Sequence, residues 1–216
     1  MNEKALEKIL NIFLEKVLPL TEKGVARGSK IFGAAIIKKD DLSVVIAETN
    51  NEIENPLWHG EMHTLKKFYE LDAKKRPNEK DCMFLSSHEP CSMCLSAITF
   101  SGFDNFYYLF PYAATNDDFN IPHDLNILKE VFNIGDGKYN KENSYWKSQN
   151  INLLIDNLSI SEKENLPEVQ QLEARINKLL RERDHLGPVN LRAEIEMEEI
   201  QDCLLYTSPS PRDSDQ

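Results

Sequence analysis

Leu6, Ile9, Leu10, Phe13, Leu14, Val17 and Leu18 recur at intervals of three and four, which predicts an amphipathic helix with one buried stripe, loosened at Pro19 and Gly24. Residues 31–37 and 42–47 are rich in β-branched side chains and are separated by Lys38-Lys39-Asp40-Asp41, the pattern of a β-hairpin with a charged turn. A loop with Asn50, Asn51 and Pro56 follows. From His59 the helical rhythm returns through Met62, Leu65, Phe68, Tyr69 and Leu71. Residues 82–86 and 105–110 predict two further strands, with a helix opening at Pro90 between them and another over 124–132, entered at Pro122. Strands alternating with helices predict a three-layer α/β/α sandwich with a mixed central sheet, because parallel neighbours need helical crossovers.

Beyond about residue 160 the pattern changes. Residues 163–200 are charged and helical, with Leu172, Ile176, Leu179 and Leu186 in near-heptad spacing until Gly187-Pro188 interrupts. The sequence is therefore divided into a domain over 1–160, a coiled-coil-like segment over 161–202, expected to be extraneous to that domain, and a tail over 203–216. Residues 186–194 resemble coiled-coil sequence of a chromosome-segregation ATPase, and 203–213 resemble the conceptual translation of a sequencing-library transposon adapter. The expectation is a chimeric chain.

The 216 residues, 41% hydrophobic and 28% charged, suffice for one well-buried domain and an appendage. No apolar run approaches the roughly 20 residues that cross a bilayer, so the expected location is cytoplasmic. Of the net charge of −11, −5 falls on residues 1–160 and −6 on the remainder. That balance argues against a polyanion as the main partner, since nucleic-acid binders carry a basic stripe. The run Lys74-Lys75-Arg76 reads first as a solvated surface.

The chemistry concentrates in His59-Gly60-Glu61 and Pro90-Cys91-Ser92-Met93-Cys94. One histidine and two cysteines supply three zinc ligands and leave a fourth position for water, while a carboxylate beside them manages protons. This combination is the signature of zinc deaminases that act on nucleobases, with the glutamate as general acid and base. Cys91 and Cys94, three apart at a helix start, lie on one face where the helix terminus favours thiolate. Residues two apart point to opposite sides within a helix, so His59 and Glu61 converge only if they occupy its opening turn. A structural zinc would need a fourth protein ligand. His63, one turn beyond His59, is the rival for that place, and Cys82 is too far back along the strand.

On these residues the chain resembles the cytidine-deaminase-like superfamily, nearest to its guanine, cytosine and tRNA adenosine deaminases. Phe32-Gly33-Ala34, Asn51-Glu52-Ile53 and Glu89-Pro90-Cys91-Ser92-Met93-Cys94 with Ala97-Ile98 carry the likeness, over about residues 5–135. The resemblance implies zinc on His59, Cys91 and Cys94, proton transfer by Glu61, and substrate contact by Asn51. It also implies a homodimer. Asn55-Pro56-Leu57-Trp58 replaces the Asp-Pro-Thr-x that usually precedes His-Ala-Glu, and the loop from Asn51 is shorter. Trp58 is therefore read either as a base-stacking face or as core, and His88 as a substrate contact or a loop histidine. Trp146 and Tyr145 are candidate lid aromatics, and Asp117 and Asp118 candidate partners of substrate amino groups. The expected activity is zinc-dependent hydrolytic deamination of a purine or pyrimidine base, nucleoside or nucleotide. The alternatives are an RNA-editing deaminase and a noncatalytic zinc-stabilised binding module.

Overall fold

Strand alternation sets the layers. In the computed structural model, which describes residues 1–112, 122–135, 138–164, 166–167 and 169–186, five strands lie in the order β2-β1-β3-β4-β5. They are β1 (Gly33–Lys38), β2 (Val44–Thr49), β3 (Cys82–His88), β4 (Asn105–Phe110) and β5 (Lys147–Asn150). β1 is antiparallel to β2 and to β3, whereas β3, β4 and β5 run parallel. The sheet is mixed, as expected.

Ala34, Ile36, Phe84, Phe106 and Tyr108 face one layer, which contains α3 (Gly60–Glu70) and α4 (Ser92–Ser101). Ala35, Ile37, Met83, Leu85 and Leu109 face the other, built from α1 (Glu3–Ile12), α2 (Leu18–Ala26) and α6 (Ile151–Asp156). Each fully buried leucine, isoleucine or phenylalanine contributes about 1.5–3 kcal/mol relative to exposure. The two faces together hold the sheet between helical layers. Helix α5 (Pro122–Phe132) reaches the protein through Leu128, which packs with Tyr112 and Tyr139.

The first helix departs from the sequence expectation. Pro19 does not loosen it: a π turn over Phe13–Val17 joins α1 to α2 without interruption. Proline lacks an N–H and its ring crowds the carbonyl one turn back. The widened turn, in which the Leu18 N–H reaches five residues back to the Phe13 carbonyl, absorbs that misfit upstream. Gly24 is buried mid-helix against Thr49.

One late element had no hydrophobic signal. β5, with the sequence Lys-Ser-Gln-Asn, is a polar strand at the end of the sheet order beside β4, and Tyr145 and Trp146 immediately precede it. A short and a long helix come later, α7 (Ile160–Lys163) and α8 (Val169–Leu186). Leu172, Ile176, Leu179 and Leu180 of α8 are buried in the same cluster as α1 and α2, and Arg175 pairs with Glu22 of α2. The boundary drawn at residue 160 is thus not a break in packing over 169–186. Residues 187–216, including the expected adapter-like tail, lie outside the described residues. Among the described residues no helix is long and apolar enough to cross a membrane.

Candidate metal centre and proton shuttle

Two helix N-termini meet at the carboxyl end of β3. His59 is the N-cap of α3, in extended backbone geometry (φ −60°, ψ 160°), and Glu61 occupies its first turn. The opening-turn placement demanded by their spacing is the one observed. Gly60 between them has no room for a side chain: a Cβ would stand 2.8 Å from the Phe32 carbonyl oxygen and 2.9 Å from the Gly33 Cα. Glycine is required there so that α3 can start against the backbone of β1. Asn50, fully buried, fixes the same turn by accepting the Gly60 N–H on Oδ1.

At the second helix the N-cap is Cys91, and Ser92 is the first helical residue. Pro90 therefore sits ahead of the helix instead of in its first turn, closing the short link from β3. Cys94 follows one turn on. Cys91 Sγ and Cys94 Sγ are 3.6 Å apart, and His59 Nδ1 lies 3.7 Å from the first and 3.9 Å from the second. Zinc–sulfur bonds of about 2.3 Å and zinc–nitrogen bonds of about 2.0 Å at a tetrahedral angle imply separations of about 3.8 Å between sulfurs and about 3.5 Å from sulfur to nitrogen. The triangle fits zinc, and these three form a ligand group with all donor atoms within 4.8 Å.

Glu61 is 5% exposed. Its Oε1 lies 2.8 Å from Ser86 Oγ and its Oε2 accepts from Cys94 Sγ at 3.4 Å. The single Ser86 proton serves either Glu61 or the His88 carbonyl at 2.6 Å. Burial, reinforced by negative charge at Cys91, pushes the Glu61 carboxyl above the usual range. A proton shared between the thiols holds Cys91 low and Cys94 high.

The other sequence candidates are placed as follows. His63 is occupied elsewhere, its Nδ1 2.9 Å from the Thr49 carbonyl, and is not in the ligand group. Cys82 is a buried strand residue whose thiol burial pushes up to about 11. Asn51 donates from Nδ2 to Glu54 at 2.7 Å, so of the adjacent asparagines it is Asn50 that is buried against the His59-Gly60-Glu61 turn. Trp58 is half-buried with Lys66 Nζ 5.3 Å from its ring centre, and it lines a cleft between α3 and α4 with Met62, Tyr69 and Phe100. His88 is buried between Phe32 and Phe110, with ring centres at 4.7 and 5.0 Å, and burial lowers it to about 3. Trp146 packs on Phe106 and donates from Nε1 to Thr99, whereas Tyr145 is exposed. Asp117 and Asp118 lie outside the described residues.

Sequence reasoning missed Asn50, Ser86 and the anchoring role of Glu89. Ser86 carried a weak signal, since it follows Phe84 by two in a strand and so shares its face.

Residues 8–110 match the family described as the cytidine and deoxycytidylate deaminase zinc-binding region. A cytosine deaminase of Candida albicans is 33% identical over 93 residues, covering 42% of this chain and 59% of that protein. A guanine deaminase of Bacillus subtilis is 34% identical over 96 residues, covering 40% and 54%. The chain thus spans little more than half the length of these relatives. Among solved structures, the Bacillus subtilis guanine deaminase aligns at 23% identity with a TM-score of 0.47, over 76% of this chain and 91% of that one. A guanine deaminase from Nitrosomonas europaea aligns at 21% and 0.45, over 78% and 81%. A structure from work on A-to-I editing by tRNA:A34 deaminases aligns at 24% and 0.39, over 45% and 74%.

Proposed function

From the match of residues 8–110 to the cytidine and deoxycytidylate deaminase zinc-binding region, we propose that the protein is a member of the cytidine-deaminase-like superfamily and hydrolyses the exocyclic amino group of a purine or pyrimidine base, nucleoside or nucleotide. The observation that carries the reading is the company Glu61 keeps: a buried carboxylate 3.4 Å from a ligand sulfur, held by Ser86, and outside the ligand group. Zinc on His59, Cys91 and Cys94 would supply the Lewis acidity that makes water nucleophilic at neutral pH. Glu61, with its raised affinity for protons, takes one from the attacking water and delivers it to the ring nitrogen next to the reacting carbon. The amino nitrogen then leaves with a second proton passed by the same carboxyl, so that water and amidine become carbonyl and ammonia. Ser86 holds Oε1 while Oε2 exchanges the proton.

The net charge of −11 weighs against RNA as the principal substrate. A homodimer is part of this reading. Phe100, 94% exposed, stands with Tyr69, Met62 and Trp58 on the outer face of α3 and α4, and an apolar patch of that kind suits association. Sedimentation of wild type and Phe100→Glu would check it, a dimer that dissociates in the variant being expected.

The deciding experiment is ammonia release by the zinc-loaded full chain against bases, nucleosides, nucleotides and RNA, beside Glu61→Gln. Release on a small substrate that disappears in the variant is expected. Release on RNA alone moves the activity to the editing class. Ligand binding without release on any substrate favours the noncatalytic module.

A further inference from the structure

Two residues, Glu89 and Pro90, separate the end of β3 from the ligand Cys91, and both are gripped from outside. The Glu89 N–H donates to the Phe110 carbonyl at 2.8 Å, and the Pro90 carbonyl accepts from Tyr112 Oη. The Glu89 side chain is only 3% exposed. Its Oε2 accepts the Tyr112 N–H at 2.9 Å, and its Oε1 accepts from Tyr139 Oη at 2.6 Å and from Lys141 Nζ. A carboxylate buried to that degree costs several kcal/mol unless it is paired and fully hydrogen-bonded.

Tyr139 and Lys141 arrive from 50 and 52 residues along the chain and are themselves anchored. Lys141 Nζ lies 3.8 Å from the centre of the Tyr139 ring and 5.3 Å from that of Tyr108. Its backbone carbonyl accepts from Ser148 N at 2.9 Å and Ser148 Oγ at 3.2 Å, which ties it to β5. Tyr139 packs edge-on against Tyr112 and Trp146. A line of directional contacts therefore runs from β5 through Lys141 and Tyr139 to Glu89 and so to Cys91.

We propose that Lys141 and Tyr139 are positioning residues for the metal centre, acting through Glu89 to fix where Cys91 presents its sulfur. The inference rests on the metal-site reading above. An apolar contact of the same volume would stabilise the fold as well or better. A fully bonded carboxylate adds what packing lacks, a fixed direction for the two-residue link. Outer contacts that orient metal ligands typically change metal affinity about 10- to 100-fold when removed.

The test uses the full chain, stripped of metal and titrated with zinc against a chromophoric chelator, then with cobalt(II) to read the sulfur-to-cobalt charge-transfer and ligand-field bands. Lys141→Met is expected to weaken zinc binding about tenfold or more and shift the cobalt bands. Tyr139→Phe should do so less, and Lys141→Arg should recover most of the loss. Lys147→Met, on an exposed ion pair with Glu142, serves as the unchanged control. Unaltered zinc affinity and cobalt spectra in Lys141→Met and Tyr139→Phe, with lowered unfolding midpoints, would overturn the proposal and leave a purely structural clasp. If Lys141→Met does not fold, Tyr139→Phe decides, since it removes one hydroxyl. No substrate enters these measurements: a cobalt shift without deamination of any compound sustains the positioning role and rejects the deaminase reading, and wild type that binds neither metal rejects the site itself.

Discussion

The two helix starts that form the centre are secured by opposite means. α3 begins by direct contact of backbone with backbone, Gly60 lying against Phe32 and Gly33 and tied by the neighbouring Asn50. α4 begins at the end of a side-chain network that runs from Cys91 through Glu89 to Tyr112, Tyr139 and Lys141. The first arrangement is steric and local, the second polar and assembled from distant sequence. In the proposed reading, the proton-transfer group Glu61 is set on the sterically fixed start and the paired sulfurs on the one held by the polar network.

The comparison is broken most sharply by dividing the roles. Cys94→Ala should drop bound zinc from about one equivalent to near zero by metal analysis, whereas Glu61→Gln should keep the zinc and lose about a hundred- to ten-thousandfold in kcat. Next comes acidity. His88 is held neutral in the fold, its pKa lowered from 6.5 to about 3 by burial, so the unfolded chain binds a proton that the folded chain refuses. The stability this contributes is complete above pH 6.5 and is lost as pH falls from there towards 3. Denaturation midpoints across that window should fall in wild type and fall less steeply in His88→Gln.

Gly60→Ala presses a methyl group into immovable backbone and should cost about 1–3 kcal/mol or more by urea unfolding. Asn50→Ala, which leaves the buried Gly60 N–H without its acceptor, should cost about 1–3 kcal/mol. Asn51→Ala should cost well under 1 kcal/mol in stability, its contact with Glu54 being exposed. A large effect of Asn51→Ala on KM with unchanged stability would restore it as a substrate contact. At α4, Tyr112→Phe removes one hydrogen bond to Pro90 and should cost about 1 kcal/mol.

What the sequence disclosed follows the same division. Apolar patterning located β1 to β4, α1 and α3, and Pro90 and Pro122 marked the approach to α4 and α5, whereas α2 was hidden behind Pro19 and Gly24. The convergence of the candidate ligands His59, Cys91 and Cys94 was legible because metal chemistry fixes residue type and spacing together. β5 was not, since a polar edge strand of four residues has no buried face to leave a pattern. Asn50 was not singled out, because which of two adjacent asparagines meets the start of α3 is set by the folded path of the loop. The Glu89 contacts were hidden for a simpler reason: a tyrosine and a lysine 50 and 52 residues away look like surface until the chain is folded. The α8 stripe was read as a coiled-coil seam, and a single helix packed on α2 uses the same spacing.

The π turn in the first helix acts as a phase shifter. Each residue advances an α-helix by about 100°, so the extra residue taken up over Phe13–Val17 rotates everything after it relative to everything before. The stripe from Leu6 to Phe13 addresses the core, and Thr21, Gly24 and Val25 are turned inward towards β2, with Gly24 against Thr49. Deleting one residue from that turn would straighten the helix and shorten it by a trivial amount. It would also swing α2 by more than a quarter of a revolution, carrying Gly24 away from Thr49 and the strand that leads into Asn50.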